Sequence, residues 1–237
     1  MHISKPFNER DTLVVNVVNP TAGFFAGDEV ACEVRVEKGA RLLLTSPSAQ
    51  RVHRAKDGCA ILRQDFFVES GGFLEVLPEI FIPQAGARYR QRTSILAEAG
   101  AELIFFETLA PGRVAMGEKF AFDWLEWATD VRWDGRLAVR ERYALSAANE
   151  SLAALRERGY YASCFAFGES FSTNVECPRA LENLHEDDVW VGCSAVGDGL
   201  VVKMLARDSV ALRSARARVR KILHEARGGE PPQLRRL

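Results

Sequence analysis

The chain has 237 residues, of which 47% are apolar, and its formal net charge at pH 7 is −1. This balance excludes a disordered chain and a polycation, and the length allows one domain with a substantial core. No apolar run approaches the ~18 residues of a membrane-spanning helix, and the first residues lack a signal-peptide pattern. Five widely spaced cysteines without a C-x-x-C pair are typical of reduced thiols in a cytosolic protein.

A short phrase, acidic-x-Gly-small-x-Leu, recurs three times in the first half of the chain. Its copies begin at Glu37, Glu69 and Glu98, so they start 32 and 29 residues apart. Each copy lies between two apolar runs, which predicts a glycine turn joining two β-strands. A weaker fourth copy contains Asp134-Gly135, a dipeptide typical of hairpins. A fixed period of this size predicts stacked supersecondary units.

The strands follow from alternation of apolar and polar residues between these turns. We predict them over residues 29–37, 41–46, 60–68, 73–77, 87–96, 103–107, 120–133 and 137–145. Stacking such pairs covers the apolar face of each unit with that of its neighbour. The predicted fold class is therefore mainly β: a stacked, solenoid-like scaffold of strands with two α-helices.

The clearer of the two helices has an apolar stripe at spacings of three and four residues: Leu212, Ala215, Val219, Ile222 and Ala226. Asp208 as N-cap and Gly228 after the last turn predict a helix over about residues 209–227. A shorter helix is predicted over 147–158. We expect one β-rich domain over residues 1–228 and a flexible tail over 229–237.

The C-terminal region is basic, with a net charge of +6 over residues 207–237. A basic helix can mark nucleic acid or an anionic surface. Because the rest of the chain has a net charge of −7, an acidic protein partner is favoured over DNA. Arg213, Arg216 and Arg220 flank the apolar stripe and are expected on the solvated face of the helix.

Four potential metal ligands lie within thirty residues: Cys164, Cys177, His185 and Cys193. Sulfur and imidazole would suit zinc or nickel. The spacings lack the short pairs of structural zinc sites, and isolated cysteines are commonly buried. We therefore interpret the three cysteines as core thiols and expect no tightly bound metal or cofactor.

The common catalytic signatures are absent from the sequence: there is no G-x-S-x-G, Walker A or H-E-x-x-H motif. The glycine-rich segment 19–28 is interpreted as a tight turn in which Gly23 and Gly27 supply positive φ. One alternative is a hydrolase that uses a carboxylate pair such as Glu107 with Glu118.

A second alternative is a β-solenoid binding module for polymers or surfaces, not tied to any enzyme. Such modules often show exposed aromatic ladders, for which Trp124, Trp127 and Trp133 are candidates. Large aromatic residues also fill cores and interfaces, and we favour that placement.

Three loops break the alternating pattern: 19–28, 47–54 and 111–118. Loops on a rigid scaffold commonly carry function, so we place partner contacts there. The candidate partner-binding residues are Phe24, Phe25, Asp28, Gln50, Arg51, His53, Arg113, Met116 and Glu118. For the first two, two placements remain open: anchors of an interface, or a local core beneath the loop.

Several motifs, in order along the chain, resemble signatures of the UreD (UreH) family of urease accessory proteins. They are NPTAGFFAGD at 19–28, LLTSPSA at 43–49, LPEI at 77–80, APGR at 110–113 with Gly117-Glu118, DGRL at 134–137 and RER at 140–142. The first is similar to N-P-x-G-G-x-x-x-G-D. The chain departs from the family pattern at Arg51-Val52-His53, where Lys-x-Tyr is usual, at Ala22-Gly23, and in lacking most of the opening strands.

The resemblance implies a β-rich stack of strands with two helices and no reaction of its own. It further implies a cytoplasmic maturation factor that binds apo-urease and a helical UreF-type partner, which recruits the nickel-carrying GTPase UreG. Nickel would be transferred cargo, and neither nucleic acid nor a membrane would be a partner. Either the chain starts late or the fold lacks its first turn, which would leave a sheet edge uncovered, and we expect a gain of stability from a UreF-like partner.

Overall fold

The computed structural model describes residues 1–21, 23–146 and 153–234, without the side chains of 153 and 154. These residues form two stacked β-sheets. The mainly β, solenoid-like fold class predicted from the sequence is confirmed. The strands in chain order are β1 (His2–Ile3), β2 (Phe7–Glu9), β3 (Thr12–Val18), β4 (Glu29–Val36), β5 (Arg41–Thr45), β6 (Gln50–Val52), β7 (Ala60–Val68), β8 (Phe73–Leu77), β9 (Phe81–Pro83), β10 (Arg88–Ala97), β11 (Glu102–Leu109), β12 (Trp124–Trp133), β13 (Arg136–Ser146), β14 (Tyr160–Phe167), β15 (Val189–Val196) and β16 (Gly199–Ala206).

The smaller sheet has the order β13-β12-β10-β7-β4, and the larger sheet follows β1-β3-β5-β8-β11-β14-β16-β15, with β2, β6 and β9 beside that path. Strands β4, β7, β10 and β12 are parallel neighbours, as are β3, β5, β8 and β11. The chain therefore crosses from the smaller to the larger sheet once per repeat, so each repeat is one layer of a solenoid.

The recurring phrase forms the corners at which the chain crosses between sheets, with Gly39, Gly71 and Gly100 at positive φ. The acidic residue of one copy binds the preceding copy. The Glu69 carboxylate accepts a hydrogen bond from the Lys38 amide at 3.2 Å, and that of Glu98 accepts one from the Ser70 amide at 2.9 Å. These bonds satisfy backbone donors that the turns leave unpaired.

The fourth copy differs from the other three because it stays within one sheet. It joins β12 to β13 as an antiparallel hairpin, with φ of 48° at Asp134 and 73° at Gly135. Positive φ at both central residues is the geometry that favours Asp-Gly in a two-residue hairpin. The hairpin prediction is therefore confirmed.

The described residues form four α-helices, two more than predicted: α1 (Ala153–Arg158), α2 (Glu169–Ser172), α3 (Glu176–Glu182) and α4 (Ser209–Ala226). Asp208 caps α4 as predicted, and its Oδ1 accepts from the amides of Val210 and Ala211, both at 2.8 Å. The predicted helix 147–158 is confirmed over α1, while 147–152 lie outside the described residues. Helices α2 and α3 are too short to show an apolar stripe. Within the described residues, no helix combines the length and apolar character needed to cross a membrane.

The larger sheet is covered on both faces, as the consecutive leucines of β5 predict. Leu44 points between the two sheets, where it shares a core with Phe66 and Phe105. Its neighbour Leu43 points to the opposite face and packs in the core beneath the helices, together with Leu212 of α4. Alternate residues of one strand thus enter different cores.

Buried ion pairs fasten α4 to the larger sheet. Arg220 Nε and Nη2 lie 2.5 and 2.9 Å from the two carboxylate oxygens of Glu75 on β8, and His224 Nε2 lies 3.1 Å from Glu75 Oε2. One turn further, Arg227 Nη2 lies 2.6 Å from Glu102 Oε2. Burial by itself raises the pKa of Glu75, but its hydrogen bonds with Arg220 and His224 hold that pKa below its ordinary value.

The prediction of solvated arginines along α4 is thus wrong for two of the three. Arg220 is buried, and Arg216 is nearly so, with its Nη1 donating to the carbonyl of Pro78 at 2.6 Å; only Arg213 is exposed. The basic side chains of α4 largely form ion pairs with glutamates of the same chain. This weakens the argument for an acidic partner. The segment after α4 has no regular secondary structure up to residue 234, but Pro232 is buried and its carbonyl accepts from Arg220.

Candidate functional site

The three predicted loops lie together at one corner of the solenoid. The Phe24 amide donates to the Arg51 carbonyl, and the His53 amide donates to the Phe24 carbonyl, both at 2.8 Å. The Ala85 amide donates to Glu118 Oε2 at 3.0 Å. Each loop precedes a strand of the smaller sheet, whereas the glycine turns follow those strands. The corner therefore lies at the other end of the strands from the glycine turns. We define the loop corner as segments 23–28, 50–54, 84–86 and 111–120.

Segment 84–86 was not predicted, although the repeat could have indicated it. Gln84 follows His53 by one repeat of about the period seen for the glycine turns. Its Nε2 lies 3.1 Å from His53 Nδ1, and its amide donates to the carbonyl of Val52 at 3.0 Å. Applying the repeat to the loops as well as to the turns would have identified it.

The two phenylalanines of the first loop have different placements. Phe24 is 1% exposed, pairs its backbone with Val52, and packs in the core with its ring 5.7 Å from that of Tyr89. Phe25 is 46% exposed and stacks on the His53 ring at 4.3 Å with 5° between the planes. The local-core placement therefore applies to Phe24, and the surface placement applies to Phe25.

The backbone of the first loop is held by its glycines and by Asp28. At Gly23, φ is +149°, and a Cβ there would lie 2.6 Å from the carbonyl oxygen of Arg51. Only glycine permits this close approach to β6. Asp28 Oδ2 accepts from the Phe25 amide at 2.8 Å, and Gly27 has φ of +90°. The tight turn predicted for residues 19–28 is confirmed at the residues that the structure describes.

The third loop presents apolar side chains on a fastened backbone. Glu118 accepts from Arg113 Nε at 2.8 Å, and this hydrogen bond lowers the pKa of Glu118. A 3₁₀ turn, Val114–Met116, lies between the two charged residues, with Val114 45% and Met116 70% exposed. Arg51 is also exposed, whereas His53 is half-buried. The loop corner thus combines exposed apolar groups with cationic neighbours.

Gln50, at the start of β6, is half-buried. It lines a cavity of about 80 Å³, which is open towards Met1 and Cys32, and a second cavity of about 50 Å³ that contains Glu107. The two cavities share four lining residues: Gln50, Gln64, Val76 and Pro78. They form a partly polar interior next to the loop corner.

The carboxylate pair of the hydrolase alternative is not assembled. Glu107 is buried, and its Oε1 accepts from Trp127 Nε1 at 2.9 Å and from Thr129 Oγ1 at 2.7 Å. Burial raises the pKa of Glu107 to about 7. Glu118 is bound to Arg113 and the Ala85 amide, and among the described residues the two carboxylates share no hydrogen-bond partner.

Three of the five cysteines lie in or against the core beneath the helices. Cys164 and Cys177 are buried there, and Cys193 packs against the same core. Burial raises the pKa of both Cys177 and Cys193 to about 11. His185 is exposed and stacks on Trp190 at 6.4 Å. Within the described part of the chain, no three His, Cys, Asp or Glu residues are arranged to hold a metal ion.

The tryptophans do not form an exposed ladder. Trp127 and Trp133 are buried between the sheets, whereas Trp124 lies half-buried on the outer side of β12. The alternation along one strand separates them, as expected for a strand with one buried face. The favoured core placement is therefore confirmed for two of the three.

Comparison with known proteins supplies the family. A family model described as UreD urease accessory protein matches residues 1–237. Proteins named urease accessory protein UreD include one from Opitutus terrae, 42% identical over 233 residues, which cover 95% of this chain and 85% of that relative. Those from Deinococcus radiodurans and Acetivibrio thermocellus are 32% identical over 235 residues and 30% over 234, covering 95% and 94% of this chain and 81% and 87% of theirs. The chain therefore belongs to the UreD family of urease accessory proteins.

Proposed function

We propose that this protein is a urease maturation factor: a cytoplasmic, non-catalytic scaffold, or chaperone, that binds apo-urease and connects it to UreF-type and UreG-type partners for nickel insertion. The observation that carries the proposal is the match of the whole chain to the UreD family. The relatives over nearly the full length are named urease accessory proteins. A stack of strands with a large outer surface suits a role in assembly.

We assign partner binding to the loop corner. Phe25, Val114 and Met116 are exposed there, although the backbone around them is hydrogen-bonded in place. An apolar side chain held on an ordered loop loses little conformational entropy when it enters a partner's pocket, so it can contribute strongly to affinity. The exposed cation of Arg51 beside them favours a partner surface that carries carboxylates.

We propose that nickel is transferred cargo for this protein. The interior cavities offer amide oxygens of Gln50 and Gln64 and the carboxylate of Glu107. A carboxylate must be deprotonated to bind a metal ion. Because the pKa of Glu107 is about 7, part of its affinity is lost at neutral pH. Weak binding suits a site that passes an ion on, and unlike the buried thiols these groups adjoin open space.

The proposal is tested by restoring urease activity in cells that carry the cognate urease genes but lack the gene for this chain. The wild-type chain is expected to restore activity and to raise the nickel content of purified urease. A Phe25→Asp/Met116→Asp variant is expected to lose both effects and to co-purify less with urease. Val210→Asp, at a residue that is 75% exposed on α4, is the matched control and should act as wild type.

Two results would count against the proposal at different levels. If the wild-type chain fails to restore activity in the presence of UreF-type and UreG-type proteins, the maturation role is wrong, and a binding module unrelated to urease is favoured. If the double variant activates urease normally while remaining folded, the role stands but the loop corner is not the partner surface.

A further inference from the structure

We propose that the outer face of the smaller sheet binds the same face of a second copy of this chain in a two-fold, sheet-on-sheet dimer. The outer face consists of the side chains of β4, β7, β10, β12 and β13 that point away from the larger sheet. Their inward neighbours are mostly buried on β7, β10 and β12 and mostly half-buried on β4 and β13, whereas the outward ones are exposed or half-buried.

The strand register places the outward residues in four rows that run across the five strands. The first row, nearest the glycine turns, is Arg35, Phe67, Leu96, Arg132 and Leu137. The second is Glu33, Asp65, Ser94, Asp130 and Arg140. The third is Ala31, Arg63, Arg92, Ala128 and Arg142. The fourth is Glu29, Ile61, Arg90, Glu126 and Ala144.

Within a single copy, this pattern sets like charges side by side. Arg63 is directly opposite Arg92, and Glu33 is directly opposite Asp65. Like charges at such positions on neighbouring strands are destabilising. No ion pair to Arg63, Arg92 or Asp65 occurs within the described residues. The single copy therefore leaves these charges without partners.

A two-fold axis that lies in the plane of the face, perpendicular to the strands and between the second and third rows, gives Asp65 and Arg63 partners of opposite charge and places Arg92 opposite Ser94 and Glu33 opposite Ala31. It superimposes the second row of one copy on the third row of the other, and the first on the fourth. On β7 it sets Asp65 against Arg63 of the second copy, and Phe67 against Ile61 of the second copy. Each contact occurs twice, as in any isologous interface.

Strands β4 and β12 follow the same complementarity. On β4 the axis sets Arg35 against Glu29, and on β12 it sets Arg132 against Glu126. Across the five strands, one superposition is unfavourable: Arg140 against Arg142, and both of these are already paired with Asp130 within the chain. A face of mixed sign complements neither a wholly acidic nor a wholly basic partner, but it complements itself.

The size of the face fits a stable dimer. Five strands at about 4.8 Å spacing and about nine residues at 3.3 Å span roughly 24 by 30 Å, or about 700 Å² per copy. Two copies would bury about 1,400 Å², within the range of specific interfaces. Because charge pairs dominate, we expect association to weaken as salt is raised.

The proposal is tested by sedimentation velocity on the purified chain over a range of concentrations, at low and at high salt. The wild type is expected to show a concentration-dependent dimer that salt weakens. Asp65→Arg and Arg63→Asp are each expected to be monomeric. Each substitution places two side chains of like charge opposite one another, and the two-fold axis repeats this contact. Both positions are exposed, so circular dichroism and thermal unfolding should match the wild type.

Mixing the two variants provides the decisive measurement. An Asp65→Arg copy and an Arg63→Asp copy oppose arginine to aspartate at both positions, so the mixture is expected to dimerise although neither variant does so alone. The control Asp198→Arg, in the turn between β15 and β16, should dimerise as the wild type does.

A wild type that remains monomeric at all concentrations would overturn the proposal. So would single variants that dimerise as well as the wild type, or a mixture of the two that remains monomeric. This test does not measure urease activation. Failure of the dimer proposal can therefore be distinguished from failure of the proposed function.

Discussion

Glu75 on β8 and Arg220 on α4, 145 residues apart, form a two-point ion pair in which both partners are buried. His224 binds the same carboxylate, and Arg220 also donates to the carbonyl of Pro232 at 3.1 Å. One glutamate of the sheet therefore orders the terminal helix and the segment that follows it. The attachment is ionic although it adjoins a large apolar core.

Replacing Glu75 by Gln should destabilise the protein strongly. The substitution leaves Arg220 buried without its counter-ion, and breaking one side of a buried pair costs about 3–5 kcal/mol. Chemical denaturation of the two proteins measures the difference. As a matched control, Glu225→Gln breaks the exposed pair with Lys221 and should change the free energy of unfolding by less than about 1 kcal/mol. Equal effects of the two substitutions would contradict the assignment.

The same carboxylate predicts acid sensitivity. Because the pKa of Glu75 is lowered in the folded state, its charged form stabilises the fold at pH values above its ordinary pKa of 4.5. This contribution is lost as pH falls through the folded-state pKa. We expect the free energy of unfolding to fall in that window for the wild type and to change less for Glu75→Gln, measured by denaturation at a series of acidic pH values.

Glu107 predicts the opposite dependence at higher pH. Its pKa of about 7, against an ordinary 4.5, means that folding favours the protonated form. The contribution is complete below pH 4.5 and is lost as pH rises through about 7, by an amount on the order of 3 kcal/mol. Glu107→Gln keeps an acceptor for Trp127 and Thr129 and should flatten the change in stability between pH 5 and 8. An unchanged slope in this variant would show that another group titrates.

The sequence predicted the repeat, the glycine turns, the hairpin and the cap of α4 because these depend on contacts between near neighbours or on one backbone conformation. It did not predict that the chain crosses between sheets at Gly39, Gly71 and Gly100, because a turn looks alike whether its strands share a sheet or not. It also missed the pairing of Arg220 with Glu75, which depends on the tertiary packing of distant elements. Phe24 and Phe25 are adjacent, so composition could not separate the buried ring from the exposed one.

Separate substitution of these two phenylalanines should give different results. Phe24→Ala removes a ring from the core next to Tyr89 and should cost roughly 3–5 kcal/mol. Phe25→Ala should change the free energy of unfolding by less than about 1 kcal/mol, because its ring is on the surface. Thermal denaturation and urease activation are measured for each. Reduced activation by a fully stable Phe25→Ala supports the loop corner, whereas a strongly destabilised Phe25→Ala contradicts its surface role.

The two glycines of the first loop offer a second comparison. Gly23→Ala meets both positive φ and a Cβ position 2.6 Å from the Arg51 carbonyl oxygen, so we expect roughly 2–5 kcal/mol of destabilisation or a displaced loop. Gly27→Ala has open space around its Cβ position and faces only the backbone cost of about 1–2 kcal/mol. Urease activation should fall more for Gly23→Ala. Equal losses would mean that contact with β6 is unimportant.

Nickel affinity of the purified chain separates a resident metal site from a route for cargo. The thiols of Cys177 and Cys193 have pKa values of about 11, so at neutral pH they are almost fully protonated, and metal binding must first remove those protons. We therefore expect no nickel site tighter than about micromolar by isothermal titration calorimetry, an affinity that corresponds to about 8 kcal/mol. Cys177→Ser should leave the titration unchanged, whereas weaker binding that Glu107→Gln removes would belong to the interior cavity. Micromolar or tighter binding that is lost in Cys164→Ser, Cys177→Ser or Cys193→Ser would show that these thiols form a metal site.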